Sequence, residues 1–194
     1  MLHLNTIDDT TFQLLQTLCS KDYMDNFALA GGTALALQIG HRKSININMF
    51  AHHDVDMQEI SFFLENDFTD IVVRRTTAVF IFCAINQVKS DFVKHSNNQP
   101  IKPCFTEQGI RMFSKEDIAA MKLNAVCGRG SKKGFYNIYC LLHTFSLPEL
   151  LSFYDEKFKS DNSYMALRSL QYFEDAETTV QPEFAPRLAP HGIK

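Results

Sequence analysis

The sequence predicts an α+β fold: a small mixed sheet with flanking helices, followed by an all-helical part. Three observations predict it. Between residues 27 and 113, short apolar or alternating runs of strand length recur. After Ser114 the apolar residues fall at helical spacing through to about residue 174. The strands do not alternate regularly with helices, which argues against a doubly wound parallel sheet. The implied organisation is an α/β core over 1–113, a helical part over 114–176 closing a cleft against it, and an irregular tail over 177–194, where Pro182, Pro186 and Pro190 interrupt any periodicity.

Each element has its own signal. Cap-type residues precede Phe12, Leu14, Leu15, Leu18 and Cys19, predicting a first helix near 9–20. "FALAG" (27–31) is a short apolar strand ending in glycine, and "TALALQIG" (33–40) a short helix that Gly40 stops. "SININMF" (44–50) alternates, with Ile45, Ile47 and Met49 on one face and Asn46 and Asn48 on the other. A helix over 55–67 follows, then strands over 69–76, 78–85 and 88–95, the last two joined by a tight turn at Asn86-Gln87. A short strand is expected within 108–114. Ser114 and Asp117 form a capping-box-like start, and helices follow over 115–127, 132–145, 148–159 and 162–174.

Composition narrows the function class. The 194 residues are 45% hydrophobic, enough for a sizeable core without disulfides. Five cysteines are scattered with no C-x-x-C spacing, which fits reduced thiols in a cytoplasmic protein better than a disulfide framework or a zinc site. The N-terminal stretch has no signal-peptide pattern and no apolar run reaches membrane-spanning length. A net charge of −3 provides no global basic field for nucleic acid. His52, His53, Asp54 and Asp56 match no ligand spacing and read as a polar loop. Phe135, Tyr136 and Tyr139 could stack a base, but at helical spacing they read first as core.

The informative stretch is "LAGGTALALQIGHRKSININMF" (29–50). A strand runs into Gly31-Gly32, where missing Cβ atoms let a phosphate approach the backbone. The next helix points its free amides at the same place, and Thr33 adds a hydroxyl. Two carboxylates at positions 46 and 48 of the following strand would share metal ions that hold triphosphate oxygens. Here those positions are Asn46 and Asn48. Asp91, on a later strand, reads by spacing alone as an ordinary surface aspartate. Lys122 lies at the edge of an apolar helix face formed by Ile118, Met121, Ala125 and Val126, where its ammonium can snorkel to solvent. Arg129, Lys132 and Lys133 form a basic run suited to solvent or to phosphate, which Arg42 and Lys43 can join in space.

The glycine pair, spacer and x-φ-x pair resemble the nucleotidyltransferase superfamily. "FALAGGTALALQIGHRKS" is closer still to the AbiEii/AbiGii type of abortive-infection toxin, and "SKEDIAAMKLNAVCGRGSKKGFYNIYCLL" (114–142) is similar to that family's second signature. The resemblance implies transfer of a nucleoside monophosphate from an NTP to an acceptor such as tRNA or another RNA, Mg²⁺ as cofactor, and a cognate antitoxin as partner. It implies catalytic roles for Asn46, Asn48, Asp91 and Lys122, the first three also as metal ligands, weakened here by the asparagines. It further implies a nucleotide site of Gly31, Gly32, Thr33, Arg42, Ser44, Lys122, Arg129, Lys133 and position 137. The departures are equally specific. Asp-x-Asp reads Asn46-Ile47-Asn48, and Lys-Asp-Phe-x-Asp reads Lys133-Gly134-Phe135-Tyr136-Asn137. Four acidic positions are neutral among intact neighbours, whether as a natural pseudoenzyme or by inactivating substitution. Uncharged amides hold Mg²⁺ poorly, so weakened catalysis with surviving nucleotide binding is expected. The alternative is a non-catalytic module that binds nucleotide or RNA.

Overall fold

Helix α1 (Asp9–Cys19) begins where Asp8 accepts a hydrogen bond from the Thr11 amide at 2.6 Å, and it buries Leu14, Leu15 and Leu18. The computed structural model describes residues 1–51, 53–94, 99–128, 130–159 and 163–177. Among these, strands β1 (Phe27–Leu29), β2 (Ile47–Ala51), β3 (Ile71–Thr76), β4 (Phe80–Ile85), β5 (Val88–Lys94), β6 (Phe105–Glu107) and β7 (Ile110–Met112) form one mixed sheet in the order β3-β4-β5-β2-β1-β7-β6. Two pairings are parallel, β2 with β5 and β1 with β7. The others are antiparallel.

One face of this sheet is covered along β2, β4 and β5. Ile47, Met49 and Ala51 of β2, Ile81, Cys83 and Ile85 of β4, and Val88, Ser90 and Phe92 of β5 all point to it and are buried. Helix α3 (Met57–Asp67), N-capped by Asp56, packs on β3 and β4 and contributes Ile60 and Leu64. Strand alternation then puts Asn48, Phe50, Phe80, Phe82, Lys89 and Asp91 on the opposite face, where none is fully buried.

Helix α2 (Gly31–Ile39) follows β1 directly and ends at Gly40, left-handed at φ 69°. After β7 every described element is helical: α4 (Lys115–Gly128), α5 (Lys132–Leu141), α6 (Leu147–Phe158), α7 (Tyr164–Ser169) and α8 (Glu174–Glu177). Helix α4 is the hub and packs on α2, α5, α6 and α7. Its first turn is locked by Asp117, which is buried. Asp117 accepts from the amides of Ile101 and Lys102, from the Ser114 hydroxyl, and from the buried Lys157 ammonium at 2.7 Å.

Several boundaries differ from the sequence prediction. Gly31 opens α2 rather than ending β1. Strand β2 starts at Ile47, so Ile45 does not join Ile47 and Met49 in the core but is 66% exposed, and Asn46 precedes the strand. Ala125 of α4 is likewise exposed. Helix α5 stops at Leu141. The helix expected over 162–174 is two short ones, with Phe173 between them packed on Phe135 at 4.7 Å. Strand β6 is unforeseen: its three residues show no apolar alternation, and only pairing with β7 across Gln108-Gly109 reveals it. The tail beyond Glu177 lies outside the described residues, as do His52 and Arg129.

Candidate functional site

The site is built around the start of α2. The Ala30 amide donates to the Asn48 carbonyl at 2.8 Å, and Gly31 then turns the chain at φ 73°. A side chain fits this turn badly on two counts. Positive φ disfavours a Cβ, and a Cβ here would stand 3.2 Å from Asn48 Nδ2. Ala30 gives the helix no side-chain cap, so the first amides of α2 carry the positive end of the helix dipole without an anionic partner. At Gly32 a Cβ would lie 1.9 Å from Arg42 Nη2, so the bare Cα is what lets the guanidinium lie against the helix start.

Arg42 is buried, and its hydrogen-bond acceptors are neutral. Nε donates to Asn137 Oδ1 at 3.2 Å and Nη1 to the Lys43 carbonyl at 2.7 Å. Burial lowers its pKa from the usual guanidinium value. The same Asn137 Oδ1 lies 2.8 Å from Nε2 of His41, which is fully buried and stacked on Tyr136. Burial first, offset in part by the Asn137 hydrogen bond and reinforced by Arg42 and Lys122, brings the His41 pKa down to about 4, so the ring is neutral near pH 7. Lys122 of α4 is partly exposed, and burial together with the Arg42 charge lowers its pKa to about 8. Arg42 thus lies at the helix N-terminus with Lys122 close enough for the two charges to feel one another, and among the described residues no carboxylate pairs with either. Uncompensated buried charge is costly, and an incoming polyanion removes the cost.

Next to this basic corner is an acidic group, Asp91. Parallel pairing of β2 with β5 sets Asn48 opposite Asp91, and Asn48 in turn lies against Gly31. The Asp91 side chain is 14% exposed; Oδ2 pairs with Lys89 Nζ at 3.2 Å, while Oδ1 is buried and has no hydrogen-bond partner among the described residues. That orphaned oxygen could accept a cation, yet the surrounding donor set is poor for a divalent pair: one carboxylate already facing an ammonium, one neighbouring amide, and Asn46, exposed, before the strand begins. Among the described residues no three His, Cys, Asp or Glu side chains converge on a metal position. The residues present do not fit a resident pair of Mg²⁺ ions.

The structure therefore brings Gly31, Gly32, Arg42, Asn48, Asp91, Lys122 and Asn137 into one constellation, and treats the other expected residues differently. Thr33 is fully buried, its hydroxyl 2.8 Å from that of Ser44 and donating to the Asn46 carbonyl. Both hydroxyls support the turn into β2 rather than facing a ligand. Lys43 reaches away to the Asn5 carbonyl. Lys133 is exposed in the first turn of α5, whose N-cap is Ser131. Asp54 pairs with Lys94 and Asp56 caps α3, so among the described residues the loop after β2 holds no ligand set. His41 is a member of the site that the sequence does not mark. Its signal is weak, since a histidine after a helix-stopping glycine has many ordinary uses.

Comparison with known proteins agrees with the fold and the motifs. A family model described as nucleotidyl transferase AbiEii toxin of type IV toxin–antitoxin systems matches residues 13–191. An uncharacterized protein of Aquifex aeolicus is 30% identical over 183 residues, covering 90% of this chain and 86% of its own length. Among solved structures, the antibiotic-resistance factor ANT(2'')-Ia superposes with a TM-score of 0.59 at 16% identity, over 83% of this chain and 97% of that one. The Helicobacter pylori protein JHP933 gives 0.50 at 14% identity, over 85% and 90%. At such identities these two likenesses speak for the fold. The chain belongs to the AbiEii family of nucleotidyl transferase toxins.

Proposed function

We propose that this chain holds a nucleoside triphosphate at the start of α2, and that its capacity to pass the nucleoside monophosphate to an RNA acceptor such as tRNA is impaired. The observation that carries the reading is Arg42 against Gly32 at the uncapped N-terminus of α2, with Lys122 close enough for the two charges to repel and, among the described residues, no carboxylate partner for either. The triphosphate supplies the missing negative charge, the backbone amides and the two cations orient it, and Asp91 lies one strand beyond Asn48 where an acceptor hydroxyl would approach. Impairment follows from the donor set. Amides at 46 and 48 supply no charge, and a deficit of about 4 kcal/mol at the transition state is roughly a thousandfold in rate. The Lys89–Asp91 pair also favours the second reading, a binding module without chemistry. A separately encoded antitoxin is the partner the family suggests.

The test is a labelled-NTP transfer assay with total tRNA and Mg²⁺. It compares the chain as it stands, an Asn46→Asp, Asn48→Asp form, and a form that adds Gly134→Asp and Asn137→Asp. The two restored forms are needed because a Cβ at Gly134 would stand 3.2 Å from both Ser131 Oγ and Val126 Cγ2, a tight fit. Label on RNA with a restored form alone is the expected result. Label with the unaltered chain overturns the impairment. Label with none, from folded proteins, favours the binding module.

A further inference from the structure

The open face of the sheet continues past Asp91 in a direction the nucleotide site does not use. Strand register runs a single row of side chains across it. Asn48 pairs with Asp91, Asp91 with Phe82, and Phe82 with Arg75. Paired residues on neighbouring strands share a face at a spacing of about 4.8 Å, so Phe82 stands next to Asp91 and Arg75 one strand further out. Phe82 remains 36% exposed. Its ring stacks on Phe80 at 4.3 Å with an interplanar angle of 18°, and the Arg75 guanidinium lies 5.3 Å above the Phe80 ring. Between Val73 and Arg75 the register shifts by one residue, so Arg74 and Arg75 together oppose Phe82. Both arginines are exposed, and Lys89 adds a third cation on the same face.

Two stacked aromatic rings flanked by guanidinium groups are what a base and its phosphate require. The ring face takes a nucleobase regardless of sequence, and the cations take the backbone. A core explanation fails for Phe82, because the strand turns Ile81 and Cys83 into the covered face and leaves Phe82 on the other. A protein partner would be met by the rings alone and would leave the arginine pair unexplained.

We propose that Phe82, Phe80, Arg74 and Arg75 form the acceptor platform: the terminal base of a single-stranded RNA stacks on Phe82 and its phosphates meet the arginines. The row order places the bound end beside Asp91, with the triphosphate corner at Gly31, Gly32, Arg42 and Lys122 on the far side of Asn48. The chain's own residues thereby separate the two substrates across one carboxylate. This extends the nucleotidyltransferase reading by naming the surface that receives the acceptor.

The test measures binding of a fluorescein-labelled, unstructured RNA dodecamer by anisotropy, and separately of inorganic tripolyphosphate by calorimetry, for the full chain and its variants. Phe82→Ala is expected to weaken RNA binding by about tenfold, within the range for losing one stacked base. Phe82→Leu, which keeps apolar bulk without a ring face, weakens it similarly, while Phe82→Tyr retains it. Arg75→Gln lowers affinity and flattens the salt dependence. Tripolyphosphate affinity stays at the parent value in all of them. Equal RNA affinity in the parent, Phe82→Ala and Phe82→Leu chains overturns the platform, as does a parent chain that binds tripolyphosphate but no RNA, which would return this face to a protein partner. Loss of tripolyphosphate binding in the parent would instead count against the nucleotide reading itself.

Discussion

Replacing Gly32 with alanine opposes two effects whose sizes can be estimated. Alanine is a better helix former than glycine, by up to about 1 kcal/mol, so at an ordinary first-turn position the change would stabilise the chain. At this position the new methyl would arrive 1.9 Å from Arg42 Nη2, where ordinary contact begins at 3.4 Å, so the guanidinium must retreat by about 1.5 Å. It is held by Nε to Asn137 at 3.2 Å and by Nη1 to the Lys43 carbonyl at 2.7 Å, and a shift of that size breaks at least one of them. A hydrogen bond from a charged donor contributes about 1.5–3 kcal/mol, so after offsetting about 1 kcal/mol of helix propensity the net expectation is a loss of about 0.5–2 kcal/mol. The displaced cation also no longer faces the helix N-terminus, and tripolyphosphate affinity should fall about tenfold, equivalent to about 1.4 kcal/mol. Urea unfolding followed by circular dichroism reads the first number and titration calorimetry the second. A Gly32→Ala chain that is more stable than the parent and binds tripolyphosphate equally well would refute the account of Arg42 given above.

Two other outcomes follow from the same geometry. Lys122, with its pKa lowered to about 8, is charged below that pH and loses its charge as pH rises through it, while a bound polyanion favours the charged form. Because tripolyphosphate also ionises in this range, the reading is the difference between the parent and Lys122→Met: the parent should take up more protons on binding near pH 8, and its advantage in affinity should shrink towards about pH 9.5; calorimetry in buffers of different ionisation enthalpy measures it, and an equal proton balance in the two chains would contradict the assignment. Removing the buried Lys157 ammonium leaves Asp117 charged with three remaining donors, so Lys157→Met should cost about 3 kcal/mol in urea unfolding, and adding Asp117→Asn should recover part of it; a single variant within about 0.5 kcal/mol of the parent would show that the pair is not what anchors α4 to α6.

What the sequence discloses of this molecule follows the range of the interactions involved. The Asn86-Gln87 turn is legible because two residues at φ 50° and 64° between apolar runs have few alternatives, and Asn is among the residues that tolerate such angles. Helix α4 is legible from Ser114 and Asp117, a local cap. The glycine pair is legible as a special place, though its physical cause is not: Gly32 is bare because of Arg42, which a strand-and-helix reading does not bring near it. Asn137 is 95 residues from Arg42 in sequence, and only the docking of α5 beside the loop after α2 reveals that one amide oxygen serves both Arg42 and His41. The Asp91–Phe82–Arg75 row is illegible for a related reason. Alternation says which residues share a face within a strand, but the register between strands sets which of them are neighbours, and a bulge shifts that register by one.

That bulge has a second effect, at the border of the sheet. Strand β3 is a terminal strand of the sheet, and a long flat border strand offers its unpaired amides and carbonyls to any other extended chain. The extra residue between Val73 and Arg75 kinks the border and breaks the regular ladder that a copy of the same strand would need. The feature that concentrates positive charge beside Phe82 thus also makes the strand a poor template for its own aggregation.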